Sequence, residues 1–225
     1  MRSLLMAIFA VLSCSCATDS IILSPNQTVS GIGQNELVRL AVEQQFSSEA
    51  DNSGSCGYEM AAGIWKLAMF AGKMKHEVIQ CAVPANRYLL VSLTNMTLTI
   101  MNPKKSCDAA LQEALKSLQE YKDPSFAADN HSVPRIAEYL QETGKCPDPF
   151  KYRDGIHKPA RPKHPEEYPA GAAGYYVALE PLPHGKHELE FSVSNECWPD
   201  QRDHQTGACP KAGERRTVVI QLFVN

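Results

Sequence analysis

Past its N-terminus the sequence has no apolar run long enough to cross a bilayer, so no transmembrane segment is expected. It has no C-x-x-C pair, which removes the zinc ribbon and the thioredoxin-type redox motif. It also lacks the G-x-S-x-G elbow, the P-loop and G-x-G-x-x-G, and with them the commonest hydrolase and nucleotide-binding signatures. Charge of one sign is missing as well. The 225 residues carry 22 Lys and Arg against 25 Asp and Glu, a net −3 that gives no reason to expect a nucleic-acid partner. What is present is an ordinary globular composition, 44% hydrophobic, in a length that suits one domain and excludes wholesale disorder.

The N-terminus points to export. Arg2 supplies a positive start and Leu4 to Leu12 an apolar run, too short to span a membrane. Ser15-Cys16-Ala17 then offers small residues at the −3 and −1 positions of a cleavage site, so residues 1–17 read as a secretory signal peptide. The rival reading is a lipoprotein, since Val11-Leu12-Ser13-Cys14 is an imperfect lipobox. Six cysteines follow Ala17: Cys56, Cys81, Cys107, Cys146, Cys197 and Cys209. An even number in an exported chain reads as three disulfides. Of the possible pairings, the local set Cys56–Cys81, Cys107–Cys146 and Cys197–Cys209 is preferred, and the last has the most support. Three N-x-[ST] sequons, at Asn26, Asn95 and Asn130, agree with export and glycosylation. Asn26 and Asn130 sit in polar, loop-like surroundings, whereas Asn95 follows an apolar strand.

Residues 18–225 read as a single secreted β-rich domain. Asn35 can cap a helix running to about Gln45, with Leu37, Leu40 and Ala41 on one face. Gly63 to Phe70, His76 to Val83 and Arg87 to Leu93 are strand candidates, the first two joined as a hairpin through Ala71-Gly72-Lys73. Leu89-Leu90-Val91 is apolar on both faces, which marks its strand as central. Ser106 caps a helix to about Tyr121, with Leu111, Ala114, Leu115 and Leu118 at helical spacing. The proline-rich stretch from Lys122 to Ala173 is expected to lie as an extended strap across the surface, interrupted by a short element around Ile136 to Leu140. Tyr175, Val177 and Leu179 alternate with Tyr176, Ala178 and Glu180, and His187, Leu189, Phe191 and Val193 alternate with Glu188, Glu190, Ser192 and Ser194. With Pro181 to Lys186 between them these runs predict an antiparallel hairpin, and Arg216 to Val224 a final strand. The fold class is mainly β (α+β): an antiparallel β-sandwich-like domain with one or two peripheral helices.

The stretch Gly174-Tyr175-Tyr176-Val177-Ala178-Leu179-Glu180-Pro181-Leu182-Pro183-His184-Gly185-Lys186-His187 resembles a loosely known family of secreted, mostly bacterial hypothetical proteins. In that family the corresponding segment runs roughly G-Y-[YW]-x-x-L-x-P-L-P-P-G-x-H into an alternating strand. Gly63 to Phe70 and Cys81-Ala82-Val83-Pro84-Ala85 resemble its upstream strand and turn. The sequence departs from the pattern at His184, where the family has a second proline, and in the Cys197–Cys209 loop, which looks like an insertion. The resemblance implies a secreted β-rich domain and brings no catalytic residue with it.

Candidate chemistry is scattered. His184-x-x-His187, with Glu188 and Glu190 nearby, contains zinc-type ligands, but alternation sends His187 and Glu188 to opposite faces. His76-Glu77-Val78-Ile79-Gln80 misses the H-E-x-x-H pattern at its last position and lies in a strand. No metal, cofactor or catalytic residue is therefore assigned. Lys158, Arg161 and Lys163 belong to a basic stretch able to meet an anionic surface. Trp198, in the loop between Cys197 and Cys209, and Tyr175 and Tyr176 are the aromatic candidates for recognition. The sequence thus supports a secreted, disulfide-bonded glycoprotein that binds an extracellular glycan or cell-surface protein. The alternative is a secreted hydrolase or metal-dependent enzyme built from dispersed His, Asp and Glu, which requires a deep polar pocket.

Overall fold

A computed structural model describes residues 20–44, 57–60, 63–69, 75–99, 106–143, 170–195 and 213–225. They form ten strands in two five-stranded sheets, with two α-helices. The first sheet contains β1 (Tyr58–Met60), β2 (Ile64–Ala68), β4 (Tyr88–Thr99), β7 (Leu140–Glu142) and β8 (Ala170–Leu179). Its order is β1-β2-β4-β8-β7. The second contains β3 (His76–Val83), β5 (Tyr121–Ala128), β6 (His131–Ser132), β9 (Gly185–Asn195) and β10 (Arg215–Val224). Its order is β3-β10-β9-β5-β6. The mainly β, sandwich-like class expected from the alternating segments is what the chain adopts.

Alternation explains the core. In β10, Val218, Ile220, Leu222 and Val224 share one face; in β9, Leu189, Phe191 and Val193 do. They meet Leu67, Leu89, Val91, Val177 and Leu179 of the first sheet in one buried cluster. Leu89-Leu90-Val91 is apolar on both faces because both are covered, and β4 is the middle strand of its sheet.

The helices lie on opposite faces of the first sheet. α1 (Gln34–Gln44) sets Leu37, Val38, Ala41 and Val42 on Ile64, Leu90, Ala172, Tyr176 and Ala178. α2 (Cys107–Leu118) sets Ala114 and Leu118 on Ala173, one residue further along β8 and so on the other face. Ser106 begins α2 as anticipated, its Oγ accepting from the Ala109 amide at 3.3 Å. Gly171 admits the helix: a Cβ there would stand 2.2 Å from the Leu111 nitrogen. α1 begins one residue before the anticipated cap, and Asn35 lies inside it, its Oδ1 accepting from the Glu36 amide.

Both expected hairpins are corrected. β2 pairs in parallel with β4, and β3 in parallel with β10, in different sheets. β8 and β9 also part, the first pairing with β4 and β7, the second with β10 and β5. Their link crosses the sandwich and buries Leu182 on the way. Two consecutive runs with one apolar face each can pair side by side or face each other across a core, and the alternation is the same in both cases. The strap is corrected at both ends, since Ala170 to Ala173 belong to β8, and its middle, 144–169, lies outside the described residues. Residues 121–142 form β5, β6, a 3-10 turn at Ile136–Tyr139 and β7. Pro124 fits inside β5 because the β5–β9 register breaks between Lys122 and Ser125.

Candidate functional site

The first sheet has its outer face under α1, whereas the outer face of the second carries no other element among the described residues. Register sets that outer face out in cross-strand rows. The first row runs His76, Thr217, Ser192 and Ser125 across β3, β10, β9 and β5. The second runs Val78, Val219, Glu190 and Ala127, and the third Gln80, Gln221 and Glu188. Ala82, Phe223 and Lys186 close the far end. Neighbouring strands stand about 4.8 Å apart, so side chains in one row are close neighbours.

The polar groups along these rows are held in place. Gln80 Nε2 donates to Gln221 Oε1 at 3.2 Å, and the Ser192 and Thr217 hydroxyls lie 2.7 Å apart. Lys186 Nζ sits 5.5 Å from the centre of the Phe223 ring, holding that aromatic at the edge of the face. Arg215 reaches across to the Asp123 carbonyl at 2.9 Å and the Ser125 hydroxyl at 2.7 Å. Glu188 and Glu190 are exposed, and Val78 is the most exposed large apolar side chain described, at 51%. The surface therefore offers two amides tied to each other, the Thr217 hydroxyl, two exposed carboxylates and a small apolar patch at Val78, while Ser192 and Val219 lie buried within it.

No protein-family model matches the sequence, and no curated protein does. Among solved structures, PbICP-C in complex with falcipain-2 aligns at a TM-score of 0.29 and 9% identity, over 73% of this chain and 100% of that one. The cysteine protease inhibitor EhICP2 from Entamoeba histolytica aligns at 0.24 and 10%, over 71% and 96%. TM-scores this low assign the chain neither a fold family nor an activity.

Several expected site residues fall outside the described residues: Trp198, Lys158, Arg161 and Lys163, and also Cys56, Cys146, Cys197 and Cys209. Cys81 and Cys107 are each disulfide-bonded. Asn26 and Asn130 are exposed in turns, the latter with Asp129 at the positive-φ tip of the β5–β6 hairpin. Asn95 lies within β4, opposite Gly174.

The two tyrosines go to opposite cores. Tyr176 is wholly buried beneath α1, and Tyr175 is half-buried against the inter-sheet core, where burial pushes its hydroxyl above the ordinary range. Tyr176 has no accessible surface to offer a ligand. Alternation alone required that they point apart, but not that a helix would cover the outer one.

His187 turns inward as alternation required, and its contacts are structural. Its Nδ1 lies 2.6 Å from Asp129 Oδ2 and its Nε2 2.8 Å from the Pro183 carbonyl, while Asp129 Oδ1 accepts from the Glu188 amide at 2.8 Å. Both ring nitrogens are engaged, and exposed His184 does not share a site with them. Among the described residues no group of three or more His, Cys, Asp or Glu is placed to hold a metal. A shallow cavity of about 240 Å³, lined by Asn35, Leu115, Leu140, Gln141 and Glu142, contains none of the histidines.

The residues that sequence reasoning missed are Gln80, Gln221, Ser192 and Thr217. They were legible as the polar half of each alternating strand. Their assembly into one surface depends on the parallel β3–β10 pairing, which no local pattern announces.

Proposed function

We propose that the chain is a secreted, disulfide-bonded glycoprotein that works as an extracellular binding module, with the outer face of the second sheet as its contact surface and a glycan chain as its ligand. The observation that carries this reading is the row of Gln80, Gln221 and Glu188, with the Gln80–Gln221 hydrogen bond, on a face that no other described element covers; the Ser192–Thr217 pair lies two rows away, across Val219 and Glu190. Amide, hydroxyl and carboxylate groups are complementary to sugar hydroxyls, since each offers a donor, an acceptor or both. Fixing them beforehand lowers the ordering cost of binding. The signal-peptide pattern, the even cysteine count and the exposed sequons at Asn26 and Asn130 support an extracellular setting.

The test is binding of purified 18–225 protein to insoluble polysaccharides and to a soluble glycan array. The reading expects saturable, salt-tolerant binding to one glycan class, weakened at least about tenfold by Gln80→Ala with Gln221→Ala while the circular dichroism spectrum is unchanged. Binding that vanishes at moderate salt would assign it to screened charge and remove the sheet face from the account. Absence of binding to any glycan would overturn the ligand class and favour a cell-surface protein.

A further inference from the structure

Beneath the C-terminal turn of α1 lies a lysine that no carboxylate among the described residues meets. Lys66 is 5% exposed, in the middle of β2 on the face that α1 covers. Its Nζ donates to the Ala41 carbonyl at 3.3 Å, and the Tyr58 hydroxyl donates to the same oxygen at 3.2 Å. Ala41 lies in the last described turn of α1, so two side chains of the sheet bind the helix at one carbonyl near that end. Tyr58 is the register partner of Lys66 across β1 and β2, and its ring lies 5.5 Å from the amine. The close fit continues in the backbone: a Cβ on Gly57 would fall 1.9 Å from the Lys66 carbonyl oxygen.

The titratable groups on the packed elements do not balance a cation. β1 contributes Tyr58, β8 contributes Tyr176 and β4 contributes Tyr88. On α1, Glu43 is bonded to Arg39, which is also held by Glu36. Among the described residues no Asp or Glu forms an ion pair with Lys66. Burial pushes the Lys66 amine down to about 8, and it pushes the Tyr58 hydroxyl above its ordinary value, with Tyr176 adding to the effect.

We propose that Lys66 is a proton-sensitive latch for α1: as a neutral amine it closes the helix end onto the first sheet, and as an ammonium it leaves a buried charge that loosens the helix. The neutral amine still donates to Ala41, so the bond survives deprotonation while the desolvation cost disappears. Opening α1 hydrates Lys66 and lets it bind its proton at the ordinary 10.5. The open state therefore holds more protons between about 8 and 10.5, and closure tightens as pH rises through that window. The full difference is about 300-fold in the opening equilibrium, of which about tenfold falls between pH 6.5 and pH 9. Loosening would uncover Ile64, Leu90 and Ala178.

Hydrogen exchange of the α1 peptide, corrected for intrinsic rates and compared with the β10 peptide, tests the latch. In the full chain, α1 protection should rise about tenfold from pH 6.5 to pH 9 while β10 changes less. Lys66→Met, which keeps the stem and removes the amine, should abolish the rise and protect α1 more at pH 6.5. Tyr58→Phe should lower protection equally at both pH values and keep the tenfold rise. A rise of the same size in Lys66→Met, no rise in the unmodified chain, or an equal rise in β10 would each overturn the proposal.

Discussion

The two sheets share one core yet treat their outer faces in opposite ways. On the first, the outward positions of the central strands hold Leu90, Tyr176 and Ala178, and α1 covers them. On the second, the outward positions hold Gln80, Gln221, Glu188 and Glu190. The inward positions at the centre of both sheets are apolar, so there the difference lies in every second residue. Where both halves of the alternation are apolar, a strand must be covered twice. Where one half is polar, the strand can face water, and that half is released from packing to do something else. A cationic exception on the covered side is Lys66, a lysine under a helix. Its position there needs the Ala41 carbonyl as a partner and brings a pH dependence with it.

Substitution should separate the two faces by a wide margin. Leu90→Ala removes a wholly buried side chain between β4 and α1, and should cost about 3 kcal/mol in urea unfolding. A cost below about 1 kcal/mol would mean that α1 contributes little to the fold. Gly171→Ala probes the other helix. The added methyl meets α2 backbone at 2.2–2.5 Å, where no side chain can move aside, and should cost about 2 kcal/mol. Tyr58→Phe leaves Lys66 as the remaining side-chain donor to Ala41 and should cost about 1 kcal/mol.

How much of this the sequence discloses depends on how local each cause is. Ser106 before a helix-spaced apolar stripe predicts α2 because the cap and the stripe lie within a few residues of each other. Val218, Ile220, Leu222 and Val224 predict β10 and its buried face for the same reason. The choice of sheet for each strand is a different matter. It rests on contacts such as Gln221 with Gln80, 141 residues apart, and on the crossing at Leu182. The candidate site suffers most, since its rows are built from three or four distant strands. Nothing near Tyr176 in sequence reveals that α1, more than a hundred residues earlier, lies over it and removes it from recognition. Lys66 stands between Trp65 and Leu67 in a strand segment, and the cause of its burial is equally non-local.

The smallest expected effect is the most informative about the open face. Gln221 is half-buried in the middle of the third row, and its side-chain oxygen accepts from Gln80. Replacing it with alanine removes one hydrogen bond between groups that water can still reach. Net stability should change by no more than about 0.5 kcal/mol, because an exposed pair exchanges one partner for solvent. The same change cuts into the middle of the proposed contact surface, so glycan binding should fall several-fold while the unfolding midpoint hardly moves. A binding site and a packing site part company here: residues kept for packing lose stability when truncated, and residues kept for contact lose affinity alone. If Gln221→Ala instead lowered stability as much as Leu90→Ala, the outer face of the second sheet would be a covered face like that of the first, and its polar rows would be internal structure rather than a surface for a ligand.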